Sequence, residues 1–286
     1  MANYAKHNHA KVSVNGQFLT GVQSFDYTRS DVTNSTRPFA RNVINNYIND
    51  TPLVSLNINY IESNNSPSYS LFNTGNLTDH FTQSYNFKYE DNQGINYVSG
   101  AYLNNYNLSI QLNNPITTSL SFDCDETDFI SGLSLEDDFN HSFGIYDAKL
   151  ITISGDFSEG INTTGMCLQS VDFSLNATRR PILRLGDTIP QYRVVELPIN
   201  CELSASLIRN SAALNQLIDR WNNNALLPSG SLNITIEDSN QNSITHYLPI
   251  MALNSIEESL DLNDNALITL NYIGTMNTGD YTVEPN

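Results

Sequence analysis

The stretch that decides the fold is VQSFDY at residues 22–27, because it occurs a second time as LQSVDF at residues 168–173. Gln, Ser and Asp are identical in the two copies, and apolar residues occupy the same three remaining positions. Alternation of apolar and polar residues is typical of a strand with one buried face. The sequence therefore predicts the same strand twice, 146 residues apart.

The segments around this stretch are also similar. Residues 10–18 resemble residues 149–157, and the Arg-Pro pair at 37–38 recurs at 180–181. Further matches follow in an unbroken order, with separations between 139 and 150 residues. Self-similarity in constant order indicates a duplication, so we predict two copies of one domain.

Length and composition agree with two soluble domains. A chain of 286 residues is long enough for two ordinary domains, each with its own core. We place them at residues 1–130 and 131–286, with an acidic linker near residues 123–147. No apolar run reaches the length of a membrane-spanning helix, and the amino terminus lacks the apolar core of a signal peptide.

Within each half, strand patterns alternate with turns, which predicts antiparallel sheets. The segments 97–102 and 108–112 are predicted as separate strands, as are 244–250 and 255–262. One helix is predicted at residues 212–222, because Leu214, Leu217, Ile218 and Trp221 follow the spacing i, i+3, i+4, i+7. A weaker helical pattern surrounds residues 76–81 of the first half.

The sequence contains no recognisable catalytic, cofactor or metal site. The three cysteines have no CxxC spacing, and His7-Asn8-His9 has no further ligand cluster beside it. The acidic run at residues 261–265 lacks the spaced ligands and central glycine of an EF-hand. We therefore predict that the protein is not an enzyme and needs no cofactor.

The basic residues are concentrated in two long connections, which we call the arms, at residues 29–52 and 174–197. Seven of the 13 Lys and Arg residues lie there, and all seven are arginine, which forms forked contacts to carboxylates. The arms are either solvated loops or surfaces that dock on another subunit, and long loops in compact domains are usually functional. The predicted interface residues are Arg29, Arg37, Phe39, Arg41 and Ile44 in the first arm, and Arg179, Arg180, Ile182, Arg184, Tyr192 and Arg193 in the second.

The order of these elements resembles the tail tube proteins of long-tailed bacteriophages of the siphovirus and myovirus type. The resemblance lies in residues 168–185, with the Thr178-Arg179-Arg180-Pro181 turn, and in the helix and hairpin that end the second half. It implies two tandem antiparallel β-sandwich or barrel domains, each with one flanking α-helix and a long arm loop.

The resemblance also implies a function in the virion. Six such domains form a ring, so a duplicated chain would form homotrimers with pseudo-sixfold symmetry. The rings would stack into a tail tube, assembled in the host cytoplasm and joined to other tail proteins. DNA would pass through the lumen during ejection without specific binding. The net charge of −17 fits this role, because binding to phosphates requires clustered basic residues.

Two alternatives remain open at this stage. Tandem β-sandwiches rich in Tyr and Asn are also consistent with a carbohydrate-binding or receptor-binding virion protein. A tail-terminal or baseplate ring protein would share the same domains without forming a long tube. Neither alternative involves enzymatic activity.

Overall fold

A computed structural model shows a chain built from antiparallel strands. It describes residues 11–30, 33–36, 46–49, 53–62, 81–90, 94–131, 151–155, 167–185, 189–208, 218–219, 222, 229–237, 243–259, 267–276 and 282–285. The prediction of a mainly β fold is confirmed. Within these ranges, no helix has the length and apolar composition that crossing a bilayer requires.

Nineteen strands are described, and we refer to β1–β10 as the first half and β11–β19 as the second. The first half contains β1 (Lys11–Val14), β2 (Gln17–Phe18), β3 (Val22–Ser30), β4 (Thr33–Thr36), β5 (Asn46–Asn49), β6 (Leu53–Ile61), β7 (Tyr85–Glu90), β8 (Gly94–Gln111), β9 (Thr117–Cys124) and β10 (Glu126–Ser131). The second half contains β11 (Ile151–Gly155), β12 (Cys167–Asn176), β13 (Arg179–Ile182), β14 (Tyr192–Val195), β15 (Ile199–Ile208), β16 (Ser229–Glu237), β17 (Ser243–Ser259), β18 (Leu267–Met276) and β19 (Thr282–Pro285).

Eight of these strands form one continuous antiparallel run through both halves. Their order is β3-β6-β9-β8-β12-β15-β18-β17. The two halves meet where residues 105–111 of β8 pair with residues 170–176 of β12. We call this ladder the internal junction. It makes the two halves parts of one sheet.

The two longest strands, β8 and β17, each pair with different strands along their first and second parts. The first part of β8 pairs with β7 and β10, and its second part pairs with β9 and β12. The prediction of two separate strands in each of these regions is wrong. A bulge between Leu103 and Asn105 in β8, and one between Leu253 and Ser255 in β17, let the chain bend while its pairing continues.

The repeated sequence stretch has the same local structure in both places. In β3, the pairing with β6 shifts between Val22 and Ser24, which leaves Gln23 as the extra residue. In β12, the pairing with β15 shifts between Leu168 and Ser170, which leaves Gln169 as the extra residue. The shared Gln of the two stretches is therefore the bulged residue of each strand.

The strand pairings of the two halves also correspond in order. The pairs β3–β6, β6–β9, β8–β9, β7–β8, β1–β7 and β10–β8 have their counterparts in β12–β15, β15–β18, β17–β18, β16–β17, β11–β16 and β19–β17. In each half the bulges fall in the corresponding three pairs of strands.

Three further predictions differ from the structure in part or lie mostly outside the described residues. The arms, predicted as loops, contain the hairpins β4–β5 and β13–β14. The start of the predicted acidic linker, residues 123–131, belongs to β9 and β10. Most of the predicted helix 212–222 and residues 76–80 lie outside the described residues, so both helices remain predictions. Ile218 has helical backbone and packs against the core.

Aromatic side chains fill the space between the paired sheets. In the first half, Phe87 of β7 lies 4.9 Å from Phe122 of β9 and 6.3 Å from Phe25 of β3, measured between ring centroids. Across the internal junction, Tyr106 of β8 packs against Phe173 and His246 of the second half, at 6.2 and 6.1 Å. The core is therefore shared between the halves.

His246 predicts a specific acid sensitivity of the fold. Burial lowers the pKa of this histidine to about 4, whereas a histidine in an unfolded chain titrates near about 6.5. Because the unfolded state takes up the proton first, the free energy of unfolding falls as the pH drops from about 6.5 toward 4. Between pH 7 and pH 5 this amounts to about 2 kcal/mol.

Urea denaturation at both pH values tests this effect. The wild-type protein should lose about 2 kcal/mol more than a His246→Gln variant between pH 7 and pH 5. The comparison cancels the other titrating groups, which are the same in both proteins. Equal losses in the two proteins would contradict a buried, neutral His246.

Candidate assembly interface

The internal junction shows how two sheet edges of this protein recognise each other. Seven residue pairs form its ladder, from Ser170 opposite Gln111 to Asn176 opposite Asn105. The hydroxyl of Ser109 donates a hydrogen bond of 2.6 Å to the carboxylate of Asp172 on the opposite strand. The contact therefore combines a backbone ladder with one charge-assisted side-chain bond.

The hairpin β13–β14 fixes the second arm to the end of β9. Arg193, whose side chain is 6% exposed, donates from Nε to Asp125 at 3.0 Å and from Nη2 to the Cys124 carbonyl at 3.1 Å. Its Nη1 lies 3.9 Å from Asp123. Burial raises the pKa of Asp125, and the hydrogen bond and charge of Arg193 oppose that rise. The arginine thus stabilises a half-buried carboxylate.

Arg179, at the start of the same hairpin, binds backbone oxygens of the first half. Its guanidinium donates to the carbonyl of Leu103, at 3.0 Å from Nε and 2.6 Å from Nη2, and to the carbonyl of Phe81. It also lies over the Tyr102 ring, 5.4 Å from the centroid. Burial lowers the pKa of Arg179 to about 10, so the side chain remains charged at neutral pH.

The structure therefore brings two of the predicted interface residues, Arg179 and Arg193, against the first half of their own chain. Arg29, Arg180, Arg184 and Tyr192 are exposed, and Ile182 is half-buried. Arg37, Phe39, Arg41 and Ile44 lie outside the described residues. For all of these, contact with another subunit remains a prediction.

One side of the eight-strand run is lined by polar side chains, and we call this side the polar face. Residues at every second position point to it, while the intervening residues are buried, as on β6 and β15. Its described charged residues are all acidic: Asp26, Asp123, Asp172, Glu202 and Glu257. No described strand position of this face carries Lys or Arg, but Arg193 of the second arm reaches Asp123 at 3.9 Å.

Short polar side chains connect neighbouring strands across the polar face. Asn59 donates to Ser24 at 2.8 Å, Ser121 donates to Asn57 at 2.6 Å, and Asn271 donates to Ser255 at 3.0 Å. Such cross-strand pairs fix the register of a sheet and contribute to its stability. These bonds order the polar face, which also carries the exposed apolar side chains of Leu53 and Ile273.

The two ends of the eight-strand run differ from the internal junction. Among the described strands, β3 pairs only with β6, and residues 255–259 of β17 pair only with β18. Tyr27 of β3 is 42% exposed, whereas its counterpart Phe173 in β12 is 1% exposed. Sheet edges of this kind accept another strand unless something covers them.

No group of His, Cys, Asp and Glu in the described residues is placed to bind a metal. Cys124 and Cys201 are buried free thiols, and burial raises the pKa of Cys124 to about 12. Sequence reasoning missed Ser109, Asp172 and Asp125, although the repeated Asp of the VQSFDY stretch was a usable signal for Asp172.

Arg193 provides a test of the contact between the arm and β9. Arg193→Ala should reduce the free energy of unfolding by about 3 kcal/mol, because it leaves the half-buried Asp125 without its charge partner. Arg184→Ala, which removes an exposed arginine of the same arm, should change it by less than about 0.5 kcal/mol. Chemical denaturation measures both. Equal, small effects would mean that the arm is not fixed by this pair.

Comparison with known proteins adds no family to these findings. No protein-family model matches the chain, and no curated protein matches its sequence. The geometry of the junction, the polar face and the two edges therefore carries the functional argument.

Proposed function

We propose that this chain is a structural virion protein that assembles into rings, and that the rings stack into a phage tail tube through which DNA is ejected. One observation carries the proposal: an eight-strand sheet has an edge strand at each end and a polar face whose described strand residues include five carboxylates and no basic side chain. The resemblance of the sequence to tail tube proteins points to the same function.

The corresponding strand pairings support a duplicated tube domain as part of this proposal. Both halves share the order of pairing and the positions of their bulges, and each has a hairpin in its arm. In this proposal each half also has one flanking helix. One chain then supplies two of six equivalent domains, so three chains complete a ring.

Ring closure gives each sheet edge a partner. An edge-to-edge contact between identical chains is heterologous, and it ends in a closed ring when the rotation between subunits divides the circle evenly. Closure removes the edges that would otherwise promote uncontrolled association. Three chains contribute 3 × 8 = 24 strands to the ring.

The size of such a ring suits a conduit. At a spacing of about 4.8 Å per strand, 24 strands give a circumference of about 115 Å and a diameter of about 37 Å. Strand tilt widens a barrel further. After the side chains are counted, the opening admits a DNA duplex.

Electrostatics favours the polar face as the lining of this opening. Arg193 lies beside Asp123, and the other four described carboxylates of this face, Asp26, Asp172, Glu202 and Glu257, repel the phosphates of DNA, so the polymer slides instead of adhering. Bound DNA would require clustered Lys and Arg, which the described part of this face lacks. The opposite side of the sheet is the packed core and cannot line a channel.

The same face weighs against the carbohydrate-binding alternative. Sugar recognition commonly uses an exposed aromatic ring. The aromatic residue at the described positions of the polar face is Tyr102, which stands opposite Asp123, is half-buried and is covered by the guanidinium of Arg179. Exposed tyrosines do occur elsewhere, at Tyr27 and Tyr192. A tail-terminal or baseplate ring would use the same closure without extensive stacking.

Electron microscopy and native mass spectrometry of the purified chain test the proposal. We expect rings of three chains with a central opening, and stacked rings or tubes at higher protein concentration. Single rings without stacks would favour the tail-end ring protein. A monomer at all concentrations that binds glycans would overturn the proposal in favour of the binding module.

A further inference from the structure

We infer that neighbouring chains join by repeating the internal junction, with residues 26–30 of β3 in one copy pairing antiparallel with residues 255–259 of the next copy. This inference rests on the proposed ring and names the surface that closes it. We call this contact the copy junction. Its partner is a second copy of this chain.

The register of the copy junction follows from the corresponding strands. Ser24 follows the bulge of β3 as Ser170 follows the bulge of β12, and Ser255 follows the bulge of β17 as Asn105 follows that of β8. Each residue pair of the internal junction therefore predicts one residue pair of the copy junction. The transfer places Asp26 opposite Ser259, Thr28 opposite Glu257, and Ser30 opposite Ser255.

The side chains at this register repeat the recognition contact of the internal junction. Inside the chain, Ser109 donates to Asp172 at 2.6 Å. The equivalent residues of the copy junction are Ser259 and Asp26, which are the same two residue types. Both are exposed. A serine and an aspartate are thus available to form the same bond between chains.

Exposure of β3 gives a second, independent argument. In β12, the side chains of Val171, Phe173 and Leu175 are buried, because β8 and the core of the second half cover them. In β3, the equivalent side of the strand carries Phe25, which is half-buried, Tyr27, which is 42% exposed, and Arg29, which is exposed. A neighbouring copy that repeats the internal junction would cover this ring.

The copy junction differs from the internal junction in its chemistry. Leu108, which is 1% exposed in β8, corresponds to Glu258 in β17, which is exposed. Tyr106 corresponds to Ile256, which is half-buried. The contact between chains is therefore more polar than the contact within a chain. Such a surface lets the free subunit stay soluble before it assembles.

The position that lies beside Arg193 within the chain changes in the same direction. The register of β9 and β18 places Ile273 at the position of Asp123, which lies 3.9 Å from Arg193. Ile273 is 46% exposed. The edge that a neighbouring copy would cover thus carries an apolar side chain where the internal junction has a carboxylate.

Disulfide cross-linking of the full-length chain tests the register. The variant Thr28→Cys/Glu257→Cys places a thiol on each side of the copy junction, at exposed positions of the polar face. Under mild oxidation it should give covalent species of two and three chains that a reductant dissolves. Directly opposite residues of antiparallel strands have Cβ atoms about 4.5–5.5 Å apart, which is close enough for this reaction.

Three matched variants control the experiment. Thr28→Cys/Ser255→Cys is displaced by two residues from the expected register and should link chains at least about tenfold less. Thr28→Cys alone measures linkage through the native cysteines. Ser174→Cys/Asn107→Cys occupies the corresponding positions of the internal junction, so it should form a bond within one chain and confirm that the chemistry works.

Electron microscopy of the unoxidised protein separates the outcomes. Rings with no cross-link at 28/257, or with stronger linkage at 28/255, would overturn the copy junction and leave the ring proposal standing. Linkage at 28/257 without rings would support the copy junction and overturn the ring. Absence of both, while the internal control forms its bond, would overturn both.

Discussion

The backbone ladder between β8 and β12 is the interaction on which the rest of the structure depends. Its seven pairs turn the strands of two halves into one sheet, whose polar face carries five described carboxylates. It also brings Tyr106 onto Phe173 and His246, which joins the two cores. Arg179 and Arg193 then fix the second arm across the same boundary. Loss of this ladder would separate the halves and divide the acidic face.

The same ladder explains why the chain should assemble. β17, which corresponds to β8, forms the edge at one end of the eight-strand run. β3, which corresponds to β12, forms the edge at the other end. Such edges present unpaired backbone N–H and C=O groups that can bind another strand. Repeating one contact geometry both within and between chains is therefore the simplest way to satisfy both ends. The proposed copy junction has Glu258 where the internal junction has Leu108, and Ile273 where the first half has Asp123. These differences would make the contact within one chain tighter than the contact between chains.

Much of this could be predicted from the sequence, because local patterns determine it. The alternation in VQSFDY and LQSVDF predicted both strands, and the shared Gln turned out to be the bulged residue of each. Other features depend on contacts that no local pattern contains. The pattern predicts separate strands at residues 97–102 and 108–112, but a bulge at Asn104 lets β8 continue through both. The partners of Arg193 lie 68 and 69 residues away, at Asp125 and Cys124, so the sequence identified the arginines of the arms but not what they bind. The polar face could have been recognised from Ser, Asn and Asp at every second position of several strands.

Hydrogen exchange of the backbone amides, compared between the free and the assembled chain, tests the central claim most directly. Amides of residues 170–176 should exchange slowly in both states, because the internal junction already pairs both edges of β12. About half of the amides in residues 24–30 face the outer edge of β3, and these should exchange rapidly in the free chain and become protected on assembly, together with residues 255–259. Exchange in residues 24–30 that assembly leaves unchanged would contradict the account.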